Sequence, residues 1–597
     1  MTAAASPPVS RNSRLLLGLA AVAVAFAAAD TYVVVLALPD MMASAGVPVE
    51  ELQRAAPVIS GFLLGYVAML PLIGRIADLR GRLPVLLMAL VVFAFGSLVT
   101  ALAYDMPSMV SGRFLQGVGG GGLVPATLAL VADLYPADRR SVPLGIVSAV
   151  QEIGSVLGPL FGALVLSVAD WRAIFLVNLA VGLLLAAALR TMRFGTNPRE
   201  SRPQTRGFRP IEGVPDIVGG LLLALTLVTG SLVFVRPASL MRDVTWGEMF
   251  VPFTGDGRWL TPVGVVAMAS GLLFVVRCVT ARRPLVDVRG WVGSMREADL
   301  TGSLLLAAAL SGVILAFATA DPKVQVFADN GWWYLLGAMV ASALLVWHLR
   351  RDDAPLIPHG ALRRTPAWGA LLVSFFVGAA LIAALIDIPL FARTTIYADS
   401  QLMAALVLVR FLIALPVGAV IGGYLSRTIG AGPTTATGMG FAATGFVLMS
   451  RWDLTSLEHW HANLGLVIGG LGFGLALAPV NAAVLAYTDD DVHGLASALV
   501  VVSRMVGMLV GISALTVIGL RRYYSEQDNF PTVRDVCDGK SRCKEFTLLL
   551  KQAGIAQEHT VFLGAAVCAV IAGVLALVLF RQARTDSISA REALSAH

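Results

Sequence analysis

Apolar runs of about twenty residues, separated by short polar turns, follow one another along nearly the whole chain. A helix that crosses a bilayer needs about 20 mostly apolar residues. Sixteen stretches meet that need: 15–39, 55–74, 84–103, 108–133, 142–167, 172–190, 216–236, 262–279, 299–319, 331–349, 367–391, 402–425, 432–450, 462–487, 493–522 and 558–580. The pattern predicts an all-α polytopic membrane protein with 16 transmembrane helices. Ala27-Ala28-Ala29 resembles a signal cleavage site. The apolar run continues through Val33–Leu38, however, so the first segment reads as a spanning helix.

Positive charge assigns the sides. With an even number of spans both termini share one side, and 26 of the 44 Arg and Lys fall on it, against 8 in the short loops opposite. Positive residues mark the cytoplasmic face, so the expectation is an inner (plasma) membrane protein with both termini cytoplasmic. The Arg- and Pro-rich run TNPRESRPQTRGFRP divides the chain. Residues 1–190 form a six-helix bundle. Residues 191–366 hold a cytoplasmic linker and two hairpins. Residues 367–597 form a second six-helix bundle. The hairpins resemble each other: DIVGGLLLAL opens one at Asp216 and DLTGSLLLAA opens the other at Asp299, which reads as a duplication. A fainter echo links GRIADLRGR in the first bundle with GGYLSRTIG in the last. Two such halves suggest a transporter with its path between them.

Composition narrows the choice. Hydrophobic types make up 57% and charged types 14%, against about 25% charged in soluble proteins. This excludes a disordered chain, a coiled coil or a soluble multidomain enzyme. A net charge of +6, spread along the chain, gives no reason to expect nucleic acid as a partner. Gly539-Lys540-Ser541 lacks the upstream Gly of a phosphate-binding loop, the His show no metal-ligand spacing, and no cofactor is expected. An ion gradient remains as the energy source.

Several segments resemble the major facilitator superfamily, in particular its fourteen-helix drug:proton antiporters. Gly74, Asp78, Gly81 and Arg82 resemble the superfamily's loop signature, although Leu79 stands where a basic residue is usual. Gly there permits a tight turn, and Asp78 can hold a helix N-terminus or an Arg across the halves, latching one conformation. Gly145, Gly154, Gly158, Pro159 and Gly162 fit the antiporter motif, whose small residues let helices approach closely. Trp171, Arg172, Phe175 and Asn178 resemble the entry motif of the sixth helix, and Arg113 resembles the buried Arg of the fourth. DTYVVV, AVQEIGSVLGPLFG, LIDIPLF, RFLIALPVGAVIGGY and HGLASALVVVSRMVGMLVG are similar to the mycobacterial triacylglyceride exporters, which have one hairpin where this chain has two. The resemblance implies the major facilitator fold, export of lipid by alternating access, and work with an extracytoplasmic lipoprotein. A multidrug:proton antiporter is the alternative.

Ionisable groups inside a membrane are functional hypotheses by default. Asp30, Arg113, Glu152, Asp387, Arg410 and Arg504 qualify. Glu152 and Arg504 lie midway along helices that face each other in this fold. The resemblance implies that they pair and part during the cycle, with Asp30 as a second proton-coupling candidate. Arg113, Asp387 and Arg410 are expected as relay, cavity or static groups. When the cation withdraws, a buried carboxylate takes a proton rather than stand alone. His493, at a helix start beside an acidic loop, reads as a cap. Beyond the membrane, 521–557 is expected to form a paired helical stalk able to carry a lipid tail or dock a lipoprotein. Cys537 and Cys543 at its tip are expected to close a short disulfide loop. The expected partners are membrane lipids, protons and a lipid or hydrophobic small-molecule cargo.

Overall fold

A computed structural model of the chain describes residues 11–46, 56–135, 140–193, 216–318 and 330–581, apart from 244, 255–256, 283, 353–354, 359, 398–399, 532 and 538–542. Most of the linker, together with the tip of the stalk, lies outside them. Among the described residues every regular element is helical. The first group is α1 (Arg11–Ser44), α2 (Ala56–Arg80), α3 (Arg82–Leu102), α4 (Met106–Leu134), α5 (Ser141–Leu166) and α6 (Arg172–Arg193). The middle holds α7 (Ile217–Val235), the single turn α8 (Ala238–Met241), α9 (Pro262–Thr280), α10 (Val288–Glu297), α11 (Leu300–Ala318) and α12 (Gly331–Arg351). The last group is α13 (Thr365–Thr394), α14 (Gln401–Ile429), α15 (Ala431–Met449), α16 (Ala462–Ala486), α17 (His493–Gln527), the single turn α18 (Val533–Val536) and α19 (Lys544–Leu579). α1 runs unbroken past Ala27-Ala28-Ala29.

Thirteen of these helices are long and apolar enough to span a membrane, or fourteen counting α10 and α11, which meet at a 75° bend. The expected sixteen is not confirmed. α5 and α15 are present as long helices inside the two groups but do not pass that test on the described residues. In α15, Gly and Thr replace much of the aliphatic content, which suits a helix packed tightly on α16 and α19.

Each group of six packs chiefly on itself: α1 on α5, α2 and α6 on α4 and α3, then α13 on α17 and α19, and α14 and α15 on α16. The groups meet chiefly through two pairs, α2 with α17 and α14 with α5, flanked by α4 with α17 and α5 with α16. The turn geometry repeats too. Gly81 (φ 91°) and Gly430 (φ 84°) start α3 and α15 in a backbone region that side chains resist. Seven residues before each, Gly74 and Gly423 lie where a Cβ would strike backbone of the other half: Gly494 O at 2.6 Å and Ser141 O at 2.7 Å. These are the positions that the two loop echoes share.

The hairpins α7–α9 and α11–α12 use one device twice. Asp216 caps α7 through Gly219 N–H (3.1 Å) and binds Arg277 of the returning helix at 3.0 Å. Asp299 caps α11 through Gly302 N–H (2.7 Å) and meets His348 of its returning helix at 2.8 Å. The second hairpin lies against α2 and α17, the first at the periphery near α3. α17 and α19 have 35 and 36 residues, roughly 53 Å each at 1.5 Å per residue, against about 30 Å of hydrocarbon. The excess of α19 is held against the last group: Lys551 Nζ donates to Thr395 O (3.2 Å), and the His559 ring meets Trp452 O (2.6 Å).

Candidate functional site

The site is built from the contact between halves. α17 begins with backbone N–H groups that no preceding turn can bond. Asp78, at the end of α2 with a fully buried side chain, supplies the acceptors: Oδ1 from Gly494 N–H at 2.7 Å and Oδ2 from Leu495 N–H at 2.9 Å. The negative charge also lies at the positive end of the helix dipole. Arg82, one turn on, pairs with Asp78 at 3.0 Å and donates to Asp490 O at 3.0 Å. Arg75 donates to Asp491 O, and Arg140 reaches the Asp490 carboxylate at 3.9 Å. His493 is buried, with its ring near Thr488 O and Asp490. Gly74, Asp78 and Arg82 thus join the end of α2 and the start of α3 to the first turn of α17 and the loop before it, and Gly81 makes the turn between them. In the related contact of α14 with α5, Arg427 stands where Asp78 stands in the first half, and a guanidinium cannot accept from a helix N-terminus.

The antiporter glycines split into two jobs. Gly145 lets α5 approach Ala419 of α14 across the halves, where a Cβ would lie 2.5 Å from that carbonyl. Gly154 and Gly158 bring α5 against Ala25 and Ala29 of α1. The helix continues through Pro159 and Gly162, and the side chain of Pro159 is outside the described residues.

Farther along the contact between the halves, Glu152 of α5 is buried, 8% exposed. The charges that act on it and on the buried Tyr66 of α2 include the Arg504 guanidinium of α17. Three helices from both halves therefore converge on one charge cluster. Among the described residues Glu152 and Arg504 make no direct ion pair in this conformation. Tyr66 had no sequence signal, since a single Tyr in an apolar helix reads as packing.

Asp30 and Arg113 are brought together as a buried ion pair at 2.5 Å. The second oxygen of Asp30 accepts from Asn178, so the sixth-helix motif completes the pair. Arg113 also donates to Gln116 (3.0 Å), which donates to Ser97 (2.9 Å), and its guanidinium lies 4.3 Å from the Phe62 ring centre. This network ties α1, α3, α4 and α6 together. Arg410 donates to Asn463 at 3.0 Å, joining α14 to the start of α16. Among the described residues Asp387 makes no ion pair. It faces Glu558 of α19, a residue at the edge of the last apolar run that sequence reasoning passed over. Cys537 and Cys543 lie as a bonded pair with Cα atoms 5.5 Å apart. Asp299, His348 and Asp352 also cluster, which their sequence spacing hid. The Asp299 oxygens there are already taken by Gly302 N–H, Leu356 N–H and His348.

The sequence profile of the Major Facilitator Superfamily matches residues 20–512, and the chain belongs to that family. It is a multi-pass membrane transporter, not an enzyme. Among its relatives are triacylglyceride transporters of mycobacteria. That of Mycobacteroides abscessus is 33% identical over 530 residues, 87% of this chain and 84% of the relative. That of Mycolicibacterium smegmatis is 33% identical, covering 95% and 88%. That of Mycobacterium tuberculosis is 33% identical, covering 85% and 83%. Among solved structures, a proton:xylose symporter covers 98% of both chains with a TM-score of 0.51 at 13% identity. A human organic anion transporter reaches 0.52, also at 13%, over 96% and 100%. These two share the fold.

Proposed function

We propose that this transporter exports a triacylglyceride-like lipid across the inner membrane, driven by protons and working by alternating access. The observation that carries the mechanism is the cluster of Glu152, Arg504 and Tyr66, set between halves whose Arg-rich ends are latched. With both termini and the latch on the cytoplasmic side, the conformation described is the one open outward. Glu152 is close enough to feel Arg504 and has no direct ion pair with it, as suits a state in which the pair has parted. A buried acid without a partner is costly as an anion, so it holds a proton. Rocking the halves to open the cytoplasmic side would bring Arg504 onto Glu152 and expel that proton inward. Asp30, with both oxygens occupied, serves here as a support for Arg113 and α6 rather than as a carrier. The names and shared length of the mycobacterial relatives support a lipid cargo. The long arms α17 and α19 offer it a path beyond the headgroups and a surface for a lipoprotein, and the matching Asp caps of the two hairpins support their origin by duplication.

The test is transport of labelled triacylglyceride in proteoliposomes under an imposed pH gradient. The parent is expected to move lipid, while Glu152→Gln and Arg504→Ala lose the dependence on the gradient. Movement of cationic drugs without lipid would replace this reading by the multidrug antiporter. Normal gradient-driven transport by both variants would refute the charge-pair mechanism.

A further inference from the structure

Asp387 and Glu558 stand apart from the central cluster, and neither the latch nor the Glu152 mechanism uses them. Asp387 lies in the last third of α13 and Glu558 in the first half of α19, toward the end that bears the stalk. They are 8% and 1% exposed. α13 packs on α19, and the two carboxyl groups stand side by side, each acting directly on the other. An ionised carboxylate only accepts, so a bond between two of them needs an O–H on one. Among the described residues Glu558 Oε2 has no hydrogen-bond donor, and Oε1 accepts from Gln557 Nε2 at 3.5 Å.

The charged groups of the surrounding helices are engaged elsewhere. Lys551 and His559 of α19 bond to Thr395 O and Trp452 O, and Arg410 of α14 bonds to Asn463. Arg393 of α13 is exposed. On α17 the backbone of Arg504 packs on Gly378, nine residues from Asp387, and Arg521 and Arg522 are exposed beyond it. α15 and α16 carry no ionisable side chain.

We propose that Asp387 and Glu558 form a second proton-binding site, a carboxyl dyad that shares one proton and fastens α13 to the outer arm of α19. One carboxylic O–H donates to the other group's carboxylate, for a net charge of −1. Releasing the proton to water leaves two facing anions, a charge of −2 with no cation to offset it, and drives the helices apart. Two like charges side by side cannot both persist in a dry site. The proton therefore couples packing of the stalk arm to the helix that packs on α17.

The protonated-carboxyl infrared stretch reads this directly, using the full chain in lipid nanodiscs at neutral pH. Glu152→Gln is expected to retain one carboxyl equivalent. Adding Glu558→Gln should remove it, because the amide donates to Asp387 without a titrating proton. Adding Asp387→Asn instead should do the same from the other side, which covers the case where one variant does not fold. Absence of the band in Glu152→Gln, or no loss on adding either second substitution, would overturn the proposal. The readout is independent of cargo and of transport, so failure of the export mechanism and failure of the dyad are told apart.

Discussion

Removing the Asp78 carboxylate should shift the balance between the latched and unlatched conformations. In the latched state it accepts two amide hydrogen bonds at 2.7 and 2.9 Å from the first turn of α17, and Arg82 adds an ion pair at 3.0 Å. When the end opens, those groups meet water instead, so their contribution belongs to the closed state alone. Loss of an N-cap costs about 0.5–2 kcal/mol and loss of the charge at a helix N-terminus about 0.3–1 kcal/mol. Asp78→Ala should therefore destabilise the latch by about 1–3 kcal/mol, a factor of roughly 5–150 in the equilibrium. Asp78→Asn keeps one acceptor and should cost about 1 kcal/mol, roughly fivefold. Spin labels at the exposed Thr191 and Thr428, one on each half near the Arg-rich end, would report the distance distribution by pulsed electron resonance. The expected result is a new long-distance population, small in Asp78→Asn and dominant in Asp78→Ala. Gly494→Ala should open the same end by another route, because its Cβ would lie 2.4 Å from Gly74 O and 2.8 Å from Asp78 Oδ1. Distributions identical to the parent in Asp78→Ala and Gly494→Ala would refute the latch.

Arg113→Ala leaves Asp30 charged and buried with Asn178 as its remaining partner, and should cost about 3–5 kcal/mol of stability, seen as a lower Tm in detergent. An unchanged Tm would show that the pair is not structural. Asp216, outside the spans, is held below the ordinary carboxylate range first by the Arg277 hydrogen bond and then by Gly219 N–H. A depressed carboxyl contributes stability above its unfolded value and loses it as pH falls through the folded one. Exchange of the Gly219 and Gly220 amides should accordingly stay slow at mildly acidic pH and rise only below the usual Asp range. Acceleration already at neutral pH would refute the clamp. Intact mass without reductant should show a bond between Cys537 and Cys543, and two free thiols there would reject it.

The run lengths alone gave the helices, because a bilayer demands about twenty apolar residues whatever the neighbours are. The chemistry of single turns was legible too: Gly81 is needed where φ reaches 91°, and Asp78 is the natural residue to cap a helix. Motif glycines announced close approach, and the approach is there at Ala25, Ala29 and Ala419. Which helix end Asp78 caps was not legible, since Gly494 lies 416 residues away. Nor was Glu558, which looked like the polar border of an apolar run until α19 brought it against Asp387. The reason is physical. In a soluble protein, water on one face and core on the other mark the buried stripe of a helix. In lipid both faces are apolar, so the sequence of α13 or α16 carries little sign of which residues point inward. Length and turn chemistry are local and were written in the sequence, whereas the pairing of distant charges depended on how the helices rotate against one another and was decided by packing.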